Sequence, residues 1–117
     1  MDDDAALRVA QNLRLHDEGA KMGYNLSEKD ELDTICWARR FELDRVILFG
    51  SRARGDNWEK SDVDLAVSGK NAEQFKDLAP EILSTPYLID VVNLDRKVSD
   101  KLIRNILRDG VLIYAKD

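Results

Sequence analysis

The sequence predicts an α/β (α+β) domain with one sheet of about four strands covered by helices. Short runs rich in β-branched and aromatic residues alternate along the chain with segments whose apolar residues recur at helical spacing. The 117 residues are enough for one core but too few for two domains of ordinary size. Strands that alternate with helices in this way form a single sheet on which the helices pack.

Composition and charge narrow the classes of function. Hydrophobic residues make up 44% and charged residues 35% of the chain, which is typical of a folded globular protein. The net charge of -5 opposes sequence-independent binding of nucleic acid, because such binding depends on lysines and arginines that neutralise phosphates. Nucleic acid is therefore not expected as a direct substrate.

The sequence contains no recognisable membrane or export signal and few residues suited to zinc. No apolar run approaches the roughly 20 residues of a membrane span, and the start Met1–Asp4 lacks the basic and apolar parts of a signal peptide. We therefore expect a cytoplasmic protein that does not enter a membrane. With one cysteine, Cys36, and one histidine, His16, the sequence offers no internal disulfide and no spaced zinc motif, so oxygen atoms have to bind any metal.

The helices are predicted from polar caps and apolar spacing. Residues 5–15 form a helix and 16–25 a connection, so residues 1–26 are expected to be a helical extension to a domain of residues 27–117. Ser27, Asn71 and Ser99 cap three further helices; Pro80 is expected to kink or split the second, and Gly110 to end the third. The helix after Ser27 is expected to turn these residues to the core: Leu32, Ile35, Cys36 and Phe41.

Four strands are predicted from apolar runs bounded by turn residues. The first begins at Arg45 and is ended by Gly50, after which a loop is expected. The others cover residues 62–69, 87–93 and 111–115. Residues 62–69 alternate polar and apolar side chains, so the residues that share one face of this strand are Asp62, Asp64 and Ala66.

The turn after the first strand carries a pattern suited to phosphate. A glycine after a strand lets backbone N–H groups approach a ligand closely, and a following serine adds a hydroxyl, so Gly50 and Ser51 are candidates to bind terminal phosphates. Arg52 and Arg54 are candidates to add positive charge.

Three aspartates are candidate metal ligands. Asp62 and Asp64 project the same way from one strand and present hard oxygens suited to a pair of magnesium ions. Asp90 interrupts the apolar run of the next strand, where a carboxylate on a neighbouring strand would complete the site. Isolated Gly-Ser and Asp-x-Asp pairs are common in surface loops, so the prediction rests on their order along successive strands.

These residues resemble the nucleotidyltransferase superfamily that includes DNA polymerase β, whose motif is Gly-Ser, a spacer, Asp-x-Asp and a third aspartate on a later strand. Residues 27 to 115 look most like the bacterial minimal nucleotidyltransferases, or MNT proteins, and the ten-residue spacing resembles their AMP-transferring members. The resemblance implies a palm-like fold with a mixed sheet. It also implies two-metal catalysis with Mg²⁺ and an NTP such as ATP.

The resemblance assigns roles to this site. Asp62 and Asp64 would bind both metals, while Asp90 would bind the catalytic metal and help to deprotonate the attacking group; Gly50 and Ser51 would contact the triphosphate. In the family the acceptor is often a tyrosine on a HEPN ribonuclease. The MNT protein adenylylates this tyrosine, silences the ribonuclease and so acts as its antitoxin.

Two other functions stay open. One is transfer to a small molecule, as in aminoglycoside nucleotidyltransferases, although the short chain would have to dimerise to enclose a pocket. The other is a binding module that neutralises its partner by contact alone. The sequence does not settle whether the protein forms a homo-oligomer.

Aromatic side chains near the motif are ambiguous. Trp58 lies in the charged loop before Asp62. We expect it to pack against the protein, and the alternative is that it stacks on a base or contacts a partner. Tyr87 and Tyr114 border strands and are interpreted as structural, whereas Tyr24 is the phenol with the least evident structural role.

Overall fold

A computed structural model of the chain describes residues 24–116. These residues form four helices and four strands: α1 (Glu28–Arg40), β1 (Leu43–Phe49), α2 (Ser51–Arg54), β2 (Val63–Gly69), α3 (Ala72–Ile82), β3 (Ile89–Asn93), α4 (Asp100–Asp109) and β4 (Val111–Ala115). The helix predicted over residues 5–15 and the connection that follows it to residue 23 lie outside the described residues. None of the described helices has the length and apolar character needed to cross a bilayer.

The four strands form one mixed sheet in the order β3-β2-β1-β4. β1 is antiparallel to both β2 and β4, whereas β2 and β3 are parallel because α3 connects them as a crossover. This arrangement confirms the predicted class of one mixed sheet of four strands covered by helices.

Each face of the sheet packs against different helices. On one face, α1 and α3 contribute Ala38, Phe75 and Ala79 to a core cluster with alternate residues of all four strands. On the other face, α4 contributes Ile103 and Ile106 to a second cluster. The strand residues of the second cluster are Ile47, Phe49, Ala66 and Leu112, with Val92 packed against them.

The buried face of α1 differs from the prediction. Leu32 is 59% exposed and Cys36 is exposed, whereas Glu31, Thr34 and Ala38 are buried. The expectation that Leu32 and Cys36 face the core was therefore wrong. Apolar spacing could not show that Glu31 has a partner in the partly buried Tyr24, whose hydroxyl donates to Oε1 of Glu31 at 2.7 Å.

Caps and breaks explain the other boundaries. The Ser27 and Ser99 hydroxyls accept from the backbone N–H groups of Asp30 and Leu102, as predicted. Asn71 precedes α3, but its side chain donates to the Phe41 carbonyl at 2.8 Å instead of capping the helix.

Two irregular segments differ from what was expected. Pro80 lies in the last turn of α3, which continues to Ile82, so the helix is not split there. The segment after Gly50, expected to be a loop, first forms the single helical turn Ser51–Arg54.

Candidate active site

Strand register brings Asp64 and Asp90 side by side. They are directly paired residues of the parallel strands β2 and β3, and Phe49, which precedes Gly50, pairs with Asp64 from β1. Because side chains alternate along a strand, Asp64 and Asp90 lie on the same face as Ala66 and Val92, which α4 covers. Asp64 is half-buried and Asp90 exposed, so both lie where the helix leaves that face open.

Asp62 lies just outside the strand in which it was predicted. β2 begins at Val63, whose N–H donates to the Leu88 carbonyl at 2.9 Å. Asp62 is the exposed residue before this point. Its charge nevertheless acts on Asp64, because it contributes to the raised pKa of that carboxyl.

Gly50 packs directly against Asp64. Its backbone has φ 79° and ψ -158°, a conformation open in practice only to glycine. A Cβ at this position would overlap with Oδ2 of Asp64 and lie 3.2 Å from its Cγ. The Gly-Ser turn predicted to contact phosphate is therefore in contact with one of the predicted metal ligands.

The pKa of Asp64 reflects its burial and its acidic neighbours. Burial, the neighbouring Asp90 and then Asp62 raise the pKa of Asp64 from 3.8 to about 6, and Arg54 acts in the opposite direction. Three carboxylates and one guanidinium thus share this end of the sheet. Such a concentration of negative charge favours a cation.

The donor set fits magnesium in its chemistry. Carboxylate oxygens are the ligands that Mg²⁺ prefers, and the usual site combines one or two of them with water and substrate phosphate. Within residues 24–116, no three acidic, histidine or cysteine side chains are already gathered as a preformed cage. The assignment of Asp62, Asp64 and Asp90 as metal ligands therefore stays a prediction.

Arg52, predicted to contact the nucleotide, is buried and binds backbone carbonyls. It is 4% exposed, and its guanidinium donates to the carbonyls of Ser61, Glu59 and Asn25 at 2.9 to 3.4 Å. Its Cζ also lies 4.1 Å from the centroid of the Tyr87 ring. We therefore leave Arg52 out of the nucleotide site and interpret it as the residue that fixes the loop leading to Asp62.

Arg54 is on the rim of the site and is held by two carboxylates. Its Nε donates to Asp56 at 3.0 Å and its Nη1 to Asp109 at 2.9 Å. Asp109, the last residue of α4, also accepts from Arg108. Sequence reasoning missed Arg108 and Asp109, because an Arg-Asp pair before Gly110 is typical of any helix end.

The aromatic candidates have different surroundings from those expected. Trp58 is 70% exposed, so the expectation that it packs was wrong. Tyr24 packs on the core, and burial and the hydrogen bond to Glu31 raise the pKa of its hydroxyl. Tyr24 therefore has a structural role and a phenol that ionises less readily than usual.

Comparison with known proteins shows the family of the chain. The sequence profile described as "Polymerase beta, Nucleotidyltransferase" matches residues 30–117, which is most of the chain. The chain belongs to the polymerase beta nucleotidyltransferase family. It is therefore a transferase, with the fold and the order of motifs that the sequence indicated.

Two relatives of this nucleotidyltransferase come from Methanocaldococcus jannaschii. "Putative protein adenylyltransferase MJ0604" is 32% identical over 95 residues, which cover 74% of this chain and 93% of the relative. "Putative protein adenylyltransferase MJ1305" is 34% identical over 90 residues, which cover 65% of this chain and 61% of that protein.

Solved structures resemble the nucleotidyltransferase in fold. A toxin–antitoxin crystallised with AMP-PNP superposes with a TM-score of 0.60 at 23% identity, over 75% of each chain. A mutant of the toxin–antitoxin MntA-HpeT gives a TM-score of 0.58 at 21% identity, over 74% of each chain. At this level of identity the likeness establishes the shared fold.

The raised pKa of Asp64 predicts a pH-dependent cost to the stability of this nucleotidyltransferase. Its carboxyl holds a proton more strongly when folded, so its contribution favours folding below pH 3.8 and is lost as the pH rises through about 6. We expect Asp64→Asn to raise the free energy of unfolding by about 1–2 kcal/mol at pH 7.5, after a discount for partial exposure. Thermal unfolding at pH 7.5 and 3.5 without metal measures this gain, which should nearly vanish at pH 3.5.

The matched control is Asp77→Asn on the exposed side of α3. It should show no comparable gain at pH 7.5. A gain for Asp64→Asn that is equal at both pH values would contradict the proposed origin.

Proposed function

We propose that the protein transfers AMP from ATP to a tyrosine hydroxyl of a cognate HEPN-type toxin and so acts as its antitoxin in the cytoplasm. The observation that carries the proposal is the register that sets Asp64 beside Asp90 on neighbouring strands, with Gly50 packed against Asp64. This arrangement supports the proposal, because the turn that would bind phosphate lies beside carboxylates that would bind metal and accept a proton.

Each residue has a separate task in the proposed reaction. Gly50 and Ser51 bind the triphosphate through backbone N–H groups and a hydroxyl, and Arg54 adds a positive charge beside them. Asp62, Asp64 and Asp90 would hold Mg²⁺, which supplies charge stabilisation to the phosphates.

Asp90 accepts the proton of the attacking hydroxyl. The hydroxyl oxygen forms a bond to the α-phosphorus, the bond from that phosphorus to the bridging oxygen breaks, and pyrophosphate leaves. Because Asp90 is exposed on an edge strand of the described sheet, a hydroxyl from another protein can approach it.

The proposed acceptor is based on the names of similar proteins. The relatives bear the name protein adenylyltransferase, and the structures with the same fold are toxin–antitoxin proteins, one of them crystallised with AMP-PNP. These names support a protein acceptor and a toxin partner over a small-molecule acceptor.

Mass spectrometry tests the proposal directly. The protein is incubated with Mg-ATP and the purified product of the neighbouring reading frame. We expect one AMP on a tyrosine of that partner, no transfer by Asp64→Asn, and unchanged transfer by the exposed control Asp77→Asn.

The other outcomes separate the alternatives. Neutralisation of the partner by Asp64→Asn without transfer would overturn the proposal in favour of a binding module. AMP transferred to an added aminoglycoside and not to the partner would favour an aminoglycoside-type transferase. AMP found only on this chain would show self-modification.

A further inference from the structure

The end of α4 reaches the rim of the active site through a buried carboxylate. The side chain of Asp109 is only 4% exposed and accepts from Nη1 of Arg54 at 2.9 Å. It also accepts from Nε and Nη2 of Arg108, both at 2.9 Å. Two guanidinium groups from different parts of the chain are thus joined by a single carboxylate.

Helix stability does not account for this carboxylate. Asp109 is the last residue of α4, where the negative end of the helix dipole disfavours an acidic side chain, and burial adds to the cost. The two arginines offset both costs and keep the pKa of Asp109 below its usual range. A neutral residue at this position would avoid both costs. We therefore look for a function in the hydrogen bond between Asp109 and Arg54.

The charges of this cluster balance. Arg54 also pairs with Asp56, so the two arginines and their two carboxylate partners together carry no net charge. Arg54 nevertheless acts on the active site, because its charge lowers the pKa of Asp64.

Both arginines keep a donor for a ligand. Arg54 uses Nε and Nη1, and Arg108 uses Nε and Nη2, for their carboxylate partners. Nη2 of Arg54 and Nη1 of Arg108 make no hydrogen bond to any residue between 24 and 116. The side chains of Arg54 and Arg108 are 41% and 64% exposed, so a ligand can approach both of them from solvent.

We propose that Arg54, Arg108 and Asp109 form a subsite for the β- and γ-phosphates of the nucleoside triphosphate, in which Asp109 positions Arg54 and Arg108 supplies a second guanidinium. The inference rests on the proposed function, which requires a bound triphosphate. It adds to the Gly-Ser turn two residues from the last helix of the fold.

Calorimetry with Mg-ATP tests the part played by Arg108. We expect Arg108→Gln to weaken Mg-ATP binding about 3- to 10-fold and Arg108→Lys to recover most of that loss, because a charge-assisted contact is removed in one and largely kept in the other. The matched control is Arg104→Gln, which removes the same charge from an exposed position of the same helix. It should change the affinity less than twofold.

Asp109→Asn separates positioning from bulk charge, because the two effects have opposite signs. If only net charge mattered, removal of a negative charge would tighten Mg-ATP binding. If Asp109 positions Arg54, binding weakens, and we expect a loss of about 5-fold or more. In an Arg54→Gln background the same substitution should cause no further loss, and circular dichroism with thermal unfolding checks that each variant is folded.

The outcomes distinguish this inference from the proposed function. If the parent binds Mg-ATP and Arg54→Gln weakens binding, but Asp109→Asn does not, the positioning role is overturned. If Arg108→Gln behaves like Arg104→Gln, Arg108 is not part of the subsite. If the parent does not bind Mg-ATP, the proposed function fails and this inference fails with it.

Discussion

Asp90→Asn is expected to reduce AMP transfer to the partner about 1,000-fold, the usual order for loss of a general base. Asp90 is directly paired with Asp64 and is exposed on an edge strand, so an incoming hydroxyl can reach its carboxylate. The amide keeps the shape of the side chain but cannot accept the proton. Initial rates of AMP incorporation, followed by intact-mass spectrometry, measure the effect.

Two controls make this result specific to chemistry. The variant should still form the complex with its partner, and Asp77→Asn should transfer at the parent rate. The fold should persist, because the substitution removes a charge that raises the pKa of Asp64. Transfer within threefold of the parent would show that Asp90 is not the base.

Gly50→Ala is expected to lower transfer at least about 100-fold and to destabilise the fold by about 1–3 kcal/mol. The φ of 79° strains any residue with a side chain, and the added Cβ overlaps with Oδ2 of Asp64. The carboxylate of Asp64 then has to move away from its place beside Asp90. Transfer rates and chemical denaturation measure the two effects.

Gly55→Ala is the matched control, because Gly55 also has a positive φ, of 83°, but caps the opposite end of α2. We expect a similar loss of stability with much smaller loss of transfer. Equal losses of transfer in the two variants would mean that backbone strain, and not displacement of Asp64, accounts for the effect.

Much of the fold could be predicted because its signals are local. Alternation of strands and helices gave the class, and the hydroxyls of Ser27 and Ser99 mark helix starts by hydrogen bonds that span three residues. The meeting of Gly50, Asp64 and Asp90 could also be expected, since strand ends and the two-residue period of side chains determine it. The catalytic roles of these residues stay predictions.

The features that sequence reasoning missed depend on distant partners. Glu31 is buried because the Tyr24 hydroxyl reaches it, and Arg52 turns inward because three carbonyls of other segments surround it. An arginine in a loop looks the same in sequence whether it binds phosphate or backbone. The partner of Asp109 is likewise distant, because it is Arg54, 55 residues away along the chain.

The hydrogen bonds of Arg52 have a consequence for how the active site can move. Arg52 belongs to α2, the turn that follows Gly50, yet it holds the carbonyls of Glu59 and Ser61, directly ahead of Asp62. A shift of α2 is therefore expected to move the backbone that carries Asp62 as well. The hydrogen bonds thus couple the turn after Gly50 to the first aspartate of the pair, and the distance between them is expected to change little if either segment moves.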